Sequence, residues 1–210
     1  MISKPAHQPL APPADMTRKE PHDELIGALR RGNEIALTHF YKSYMRLVHR
    51  TVHNIMGPDS EHDDIVQDTF FEAIRDISKF KGNRHQLPAW LRQIAVRRCR
   101  RRLQYRRVRS FLRFSAPESI PELPEHPSAH AHELLRRTMS LIEALAVDEQ
   151  IAFTLRFVEQ SSIPEITKVT GWSTSTTKRR VASARAAFDA KAKRDPFLCD
   201  WLSDREGRHG

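Results

Sequence analysis

The chain has few cysteines and no long apolar run, so it lacks the features on which disulfide chemistry, cysteine-based metal sites and membrane insertion depend. It contains two cysteines and seven glycines in 210 residues, and Cys99 and Cys199 lie far apart, in no metal or redox motif. No apolar run approaches the roughly 20 residues that span a bilayer, and the N-terminus lacks the apolar core of a signal peptide. We therefore expect a cytoplasmic protein without membrane insertion, whose cysteines act as small apolar residues.

Motifs for catalysis are missing as well. The sequence has no Gly-rich phosphate loop, no Gly-x-Ser-x-Gly turn and no Cys/His spacing typical of zinc sites. Residues 62–64 (His-Asp-Asp) resemble half of a metal site, but companion ligands are not evident, and acidic residues at a helix start already complement the helix dipole. His126, His130 and His132 lie in or beside a Pro-rich segment that would hold a metal only loosely. The sequence predicts no enzyme, no cofactor and no metal site.

Basic residues dominate what is present. The formal net charge is +9, and residues 84–113 contain eleven arginines with no aspartate or glutamate. Within this segment an apolar stripe recurs every four residues, at Leu91, Ala95, Cys99 and Leu103. A helix this basic favours a polyanionic partner, and nucleic acid is the leading candidate. The alternative is a solvated basic face with no specific target.

The predicted fold is all-α, with two small helical domains joined by a Pro-rich linker. Glycine is scarce, and the period-two alternation of strands is nearly absent. Residues 115–131 combine four prolines with three glutamates and cannot continue a helix. The predicted divisions are a disordered N-terminal arm at 1–22, a first domain at 23–109, a linker at 110–131, a second domain at 132–193 and a C-terminal tail at 194–210.

Turn and capping residues divide the first domain into four helices. The first is predicted at 23–31, and the second follows the apolar stripe of residues 40–55 until a Gly-Pro pair stops it. Ser60 with Asp63 resembles an acidic variant of the capping box and is predicted to open the third helix. A Lys-Gly-Asn turn then leads into the basic helix.

Capping residues also organise the second domain. Asp148 is predicted to cap one helix, and Ser162 with Glu165 to form the capping box of a short one. Gly171 is placed to end that short helix in a left-handed conformation, and Ser173 to cap the next. A short helix, a tight turn and a longer basic helix follow the pattern of a helix-turn-helix.

The last helix can be phased by its period. Four residues share one sector and are predicted to face the core: Thr177, Val181, Ala184 and Phe188. The residues predicted to contact DNA lie on the opposite face and its flanks: Ser175, Thr176, Lys178, Arg179, Arg180 and Arg185. Short polar residues at the start of a major-groove helix meet base edges, and cations beside them contact phosphates. The alternative is an ordinary amphipathic surface helix.

Two groups of motifs follow one another along the chain. The first comprises residues 63–70 (Asp-Asp-Ile-Val-Gln-Asp-Thr-Phe), Phe80 and residues 89–95, and the second runs from 141 to 185 through Gly171. They resemble regions 2 and 4 of the extracytoplasmic-function (ECF) group of bacterial sigma-70 family RNA polymerase sigma factors. The resemblance covers residues 23–109 and 132–191 and includes no intervening third region.

The resemblance implies roles for two sets of residues in region 2. In that family the acidic helix docks on the clamp helices of the largest polymerase subunit, which implies polymerase contacts at Asp64, Gln67, Asp68 and Phe70. The basic helix would hold the promoter's minus-ten element, which implies DNA contacts at Arg92, Arg97, Arg98, Arg100, Arg101 and Arg102. The family commonly has Asn and Asp where this chain has Arg97 and Arg101, so no minus-ten sequence is predicted.

The function implied is that of a sigma factor that binds core RNA polymerase, recognises promoter elements and initiates transcription of a specific regulon. Its helix-turn-helix would read the minus-thirty-five element. Promoter DNA and core polymerase are the expected partners, and an anti-sigma factor is a further candidate. The alternatives are a stand-alone helix-turn-helix regulator and an RNA-binding adaptor that uses the arginine helix. Only the sigma factor needs a protein-docking surface at residues 64–70.

Overall fold

The computed structural model describes residues 21–112 and 129–199, and every regular element within them is helical, as the sequence predicts. The α-helices are α1 (Pro21–Arg30), α2 (Glu34–Met56), α3 (His62–Asp76), α4 (Leu87–Leu112), α5 (Ala129–Glu143), α6 (Val147–Phe153), α7 (Ile163–Thr170) and α8 (Thr174–Ala192). Two 3₁₀ turns, Ile77–Lys79 and Arg84–Gln86, lie between α3 and α4, and a π-helical turn, Thr154–Val158, follows α6. None of the described helices combines the length and apolar character needed to cross a membrane.

Several predicted segments fall partly or wholly outside the described residues. Almost all of the predicted N-terminal arm, residues 113–128 of the predicted linker and the chain beyond residue 199 are not described. Helix α4 continues past residue 109 to Leu112, and α5 begins at Ala129, inside the stretch predicted as linker. Residues 196–199, in the predicted tail, are helical, and Leu198 is buried.

Helix α4 is the centre of the first domain. Its apolar stripe is buried as predicted, with Leu91, Ala95 and Cys99 completely inaccessible to solvent. Helices α2 and α3 pack against this stripe. At the start of α4, Trp90 packs against Phe80 with ring centroids 4.8 Å apart, which extends the core to the turn before the helix. The arginines are therefore carried by a helix whose opposite side is a fixed part of the core.

The capping predictions of the helix-turn-helix are confirmed. Ser162 and Glu165 form the capping box of α7, and Gly171 ends that helix in the left-handed region with φ of 74°. The hydroxyl of Ser173 caps α8 by accepting a hydrogen bond from the amide of Thr176 at 3.2 Å. These signals are local in sequence, so they specify the two helices and the turn between them without help from the rest of the chain.

Two other capping predictions are wrong. Helix α3 begins after Glu61, not Ser60, and the carboxylate of Asp59 accepts the Glu61 amide at 2.8 Å. Helix α6 begins after Ala146, whose amide donates to Glu149 at 3.3 Å. Asp148 does not cap, because its carboxylate forms ion pairs with arginines distant in sequence. Asp148 thus forms ion pairs with distant residues in place of the predicted capping hydrogen bond.

The two predicted domains pack directly on each other through α4. Residues of α6 and α7, among them Ile151 and Ile166, belong to the same buried cluster as the core of the first domain. A buried hydrogen bond also joins the two domains: the side-chain amide of Gln150 donates to the backbone carbonyl of Ile55 at 2.9 Å. A smaller cluster that includes Leu145, Phe153 and Ala184 stabilises the second domain from within. Helix α4 thus lies between α2–α3 on one side and α6–α7 on the other.

Candidate nucleic-acid and protein interfaces

The face of α3 predicted to bind polymerase is largely exposed. Asp64, Gln67 and Asp68 are accessible to solvent, and they lie within one turn of each other on the helix. Asp68 makes a single long contact, 3.3 Å, with the guanidinium of Arg98. Asp64 has no cationic partner among the described residues. This face is a polar, acidic surface available to a basic partner.

Phe70 does not belong to that surface. It is only 4% exposed and packs against the rings of Phe40 and Tyr41, with centroids 5.8 Å and 4.8 Å away. The next residue, Phe71, is 62% exposed and lines a shallow groove together with Gln67 and Ile74. Among the aromatic residues of this helix, Phe71 is therefore the one that can contact a partner, and Phe70 supports the helix from below.

Arg97 and Arg98 share one carboxylate, although it lies 25 and 26 residues away in the sequence. Both guanidinium groups bind Glu72 of α3, and the Arg98 contact is 2.5 Å. Glu72 is 7% exposed. Burial alone would raise the pKa of Glu72, but the hydrogen bonds and charge of Arg97, together with Arg98, more than offset it and lower the pKa below its usual value. The pair is a fixed link between α3 and α4.

A second network of ion pairs joins the C-terminal half of α4 to the residues just before α3. Arg102 and Arg106 both bind Glu61, and Arg106 also binds Asp59. Arg101, between these residues and Arg98, is exposed, and no carboxylate of the described chain pairs with it. Arg101 is thus the arginine of the predicted minus-ten set that is most available to a phosphate or a base.

Arg92 and Arg100 face the second domain instead of solvent. Arg92 binds Glu159 and lies 3.5 Å from the hydroxyl of Ser161. Arg100 makes a two-point contact with Asp148, at 2.7 Å and 3.0 Å. The Arg92 side chain is 19% exposed. Both arginines are predicted to bind DNA, but in this structure they form ion pairs with carboxylates of the second domain.

The core of the helix-turn-helix explains two substitutions relative to sigma region 4. Thr167 and Thr177 stand where the family usually has an alanine and a hydrophobic residue. Their hydroxyls are 3.0 Å apart, and the Thr177 hydroxyl also donates to the carbonyl of Ser173 at 3.0 Å. Thr177 is completely buried. The buried Thr177 hydroxyl therefore has hydrogen-bonding partners in both Ser173 and Thr167, and the motif keeps its geometry.

The outer face of α8 presents part of the predicted DNA-binding set. Ser175, Lys178 and Arg179 are exposed, and Thr176 is half-buried. Arg185 is exposed but pairs with Asp189 one turn later, at 2.9 Å.

Arg180 turns towards the core side of α8. Its guanidinium lies over the ring of Trp172, 4.1 Å from the centroid, and its charge is paired with Asp148 at 2.7 Å. Asp148 therefore holds one arginine of the predicted minus-ten set, Arg100, and one of the helix-turn-helix set.

Two family models match the chain in the order of these elements. Residues 40–109 match Sigma-70 region 2, and residues 135–188 match Sigma-70, region 4. The first match contains α3 and most of α2 and α4, and the second contains α6, α7 and most of α8.

Relatives along most of the chain carry the same name. It is 28% identical over 181 residues to RNA polymerase sigma factor NccH of Alcaligenes xylosoxydans xylosoxydans, covering 83% of this chain and 96% of that one. It is 32% identical over 145 residues to RNA polymerase sigma factor CnrH of Cupriavidus metallidurans, covering 63% and 74%. Identity to the ECF RNA polymerase sigma-E factor of Escherichia coli is 27% over 179 residues, covering 80% and 93%.

Solved structures share the fold. CnrH in complex with the cytosolic domain of CnrY gives a TM-score of 0.54 at 22% identity, over 84% of this chain and 99% of that one. The sigma factor RpoE in complex with the anti-sigma factor NepR from Bartonella quintana gives 0.52 at 22% identity, over 75% and 98%.

Region 2 followed by region 4 defines a transcription initiation factor of RNA polymerase. The chain belongs to the sigma-70 family of RNA polymerase sigma factors, in its ECF group. As a sigma factor it binds core RNA polymerase and promoter DNA and initiates transcription. The resemblance stated from the sequence is confirmed.

The Glu72 link gives a prediction about acid stability. Because the pKa of Glu72 is lowered in the folded state from the usual 4.5, its stabilising effect is complete above that value and is lost as the pH falls through the lowered pKa. Glu72→Gln should therefore reduce the free energy of unfolding by about 1.5–3 kcal/mol at pH 7. The difference from wild type should shrink in strong acid.

Urea unfolding at pH 7 and in strong acid measures this effect. Asp64→Asn, which removes an exposed carboxylate from the same helix, is the control and should change stability by no more than about 0.5 kcal/mol. A cost of Glu72→Gln that is the same at both pH values would contradict the ion-pair explanation.

Proposed function

We propose that the sigma factor docks on polymerase through Asp64, Gln67 and Asp68 of α3, and that the α4 arginines hold the minus-ten element. The exposed face of α8 would read the minus-thirty-five element. The observation that carries this proposal is the unpaired state of Asp64 beside a helix rich in arginines. Glu61, Glu72, Asp148 and Glu159 are bound by arginines of α4. An acidic face left free in such surroundings suits a basic surface on another protein.

The proposal places the chain in the cytoplasm, where polymerase works, and gives it no catalytic role of its own. A stand-alone helix-turn-helix regulator is the competing interpretation. It would use α8 in the same way but would have no need of the α3 face. Polymerase docking therefore separates the two functions.

Docking can be tested with Gln67→Ala combined with Asp68→Ala. Both side chains are exposed, so the double variant should keep its helical content while it loses most of its co-purification with core polymerase and most of its transcription in vitro. Asp76→Asn, at the far end of the first domain, is the control. Undiminished binding of the double variant to core polymerase would reject the docking surface and favour the stand-alone regulator.

The packing of the two domains adds a step to DNA binding. Arg92 and Arg100 cannot hold phosphates while Glu159 and Asp148 occupy them, so we propose that the chain described here is a closed form. Phosphates would replace these carboxylates as α6 and α7 move away from α4. The Arg100–Asp148 pair is partly exposed and contributes little net stability, so its charged partners can be exchanged at low cost. The Glu159 side chain is only 9% exposed, so the Arg92–Glu159 pair would exchange only as the two domains separate. The buried apolar contacts between the domains are the larger barrier.

Opening can be tested with Asp148→Asn combined with Glu159→Gln. Removing the two carboxylates should increase the affinity of the free sigma factor for promoter DNA several-fold, because Arg92, Arg100 and Arg180 are released. Asp76→Asn combined with Glu133→Gln removes the same negative charge away from the domain contact and is the control. Filter binding or fluorescence anisotropy measures both. An equal gain in both double variants would show that only net charge matters.

The two arginines on the outer face of α8 should behave differently. Arg179 is exposed near the start of the helix, where a recognition helix meets base edges, and Arg185 lies two turns later. In the polymerase holoenzyme, Arg179→Ala should weaken promoter binding by about 1–3 kcal/mol. It should also relax the base preference at one position of the minus-thirty-five element. Arg185→Ala should weaken binding equally for all sequences. Footprinting on a promoter library checks this, and an unchanged preference in Arg179→Ala would exclude base contact.

We also propose an anti-sigma factor as a partner. CnrH was solved with the cytosolic domain of CnrY, and RpoE with the anti-sigma factor NepR. A protein that stabilised the contact of α4 with α6 and α7 would keep Arg92 and Arg100 from DNA. Such a partner would need only to stabilise the domain contact that the closed form already contains.

A further inference from the structure

Two histidines and an aspartate meet where α2 faces the start of α3. His49 Nδ1 lies 2.9 Å from His62 Nε2, and the ring centroids are 5.0 Å apart. One potential ligand atom from each of His49, His62 and Asp63 lies within 4.8 Å of the other two. The sequence showed no companion ligand for residues 62–64. The fold supplies one from a different helix.

The contact between the rings needs one neutral imidazole at least. In a hydrogen bond between two ring nitrogens, one ring donates and the other accepts, so His49 and His62 cannot both be cations there. Burial lowers the pKa of His62, and His49 lowers it further, against the charge of Asp63. A neutral imidazole is the form that binds metal ions.

We propose that His49, His62 and Asp63 bind a first-row divalent transition-metal ion, with Zn²⁺ as the reference ion. Zinc–nitrogen bonds of about 2.0–2.1 Å in a tetrahedral site place two imidazole nitrogens about 3.3 Å apart. The present separation of 2.9 Å needs only a small widening. Nitrogen ligands disfavour Mg²⁺ and Ca²⁺, which prefer all-oxygen sites.

The fourth position of this site is open to water or to His53. His53 lies one turn after His49 on α2, and its ring centroid is 6.0 Å from that of His62. Residues four apart share one face of a helix, so His53 can approach the same ion after a side-chain rotation. Three protein ligands with a fourth position open is a common arrangement for zinc.

A metal here would join α2 to α3 across the loop between them. Asp63 immediately precedes Asp64, so the ion would fix the end of α3 that carries the proposed polymerase-binding face. The metal site does not depend on that function, because its ligands do not include Asp64, Gln67 or Asp68. An ion that binds only the folded state also raises stability in proportion to its occupancy.

Cobalt(II) is the spectroscopic probe for the test. Titration of the full chain with Co²⁺ should produce visible absorption bands that saturate at one equivalent and that Zn²⁺ abolishes, while excess Mg²⁺ has no effect. His49→Ala and Asp63→Asn should each weaken this binding by about tenfold or more, since even indirect supports of a metal site cost that much. His39→Ala is the matched control, because His39 is an exposed histidine on the same helix.

A stability measurement separates lost ligands from lost fold. Zn²⁺ should raise the thermal unfolding midpoints of wild type and of His39→Ala by the same amount, and that of Asp63→Asn by clearly less. Asp63 is exposed, so Asp63→Asn should retain wild-type helical content by circular dichroism. The proposal is overturned if Asp63→Asn and His49→Ala bind Co²⁺ with wild-type affinity, or if His39→Ala weakens the binding as much as they do. Polymerase binding by the metal-free protein would leave the proposed function intact in either case.

Discussion

The structure depends on how the positive charge of α4 is balanced. This helix must bury Leu91, Ala95 and Cys99 and also carry arginines around the rest of its surface, and those arginines would repel one another without counter-charges. Carboxylates from both sides provide them. Glu61 and Glu72 come from the first domain, and Asp148 and Glu159 come from the second. The domain contact is therefore built on Arg92 and Arg100, two of the side chains proposed to bind DNA, so the charge of α4 would link folding to binding.

Burial divides these ion pairs into permanent and exchangeable ones. Glu72 is almost fully buried beneath Arg97 and Arg98, so removing its partners would leave an unpaired charge in the protein interior, which is costly. Arg97 is nonetheless 55% exposed, so it can bind Glu72 with one edge and face solvent with another. Asp148 is more accessible, and in the proposed opening phosphates would replace it as the partner of Arg100 and Arg180. Arg97 differs from the polar residue common in the family, and Glu72 gives this substitution a structural explanation.

The sequence predicts those features that are set by residues close together in the chain. The stripe of α4, the capping box of α7, the left-handed Gly171 and the Ser173 cap need only a few neighbouring residues, and they were predicted correctly. Asp148 and Ser60 illustrate the opposite case. Asp148 has the residue type of a cap, but Arg100 and Arg180 compete for its carboxylate. Phe70 is a different kind of miss: it shares the helical sector of Ile65, Val66 and Ala73, and this period alone predicts that it is buried. Its assignment to the polymerase surface came from the resemblance.

The same limit applies to sites whose ligands come from separate helices. The pairing of Thr167 with Thr177 could have been suggested from sequence, because two departures from one motif lie on consecutive helices of a known geometry. The approach of His49 to His62 could not, because it depends on how the Gly57 turn sets α2 against α3. Gly57 has φ of 72°, a conformation that residues with a side chain rarely adopt. A turn of this kind therefore determines the angle between the two helices, and with it whether the imidazoles are close enough to share a ligand.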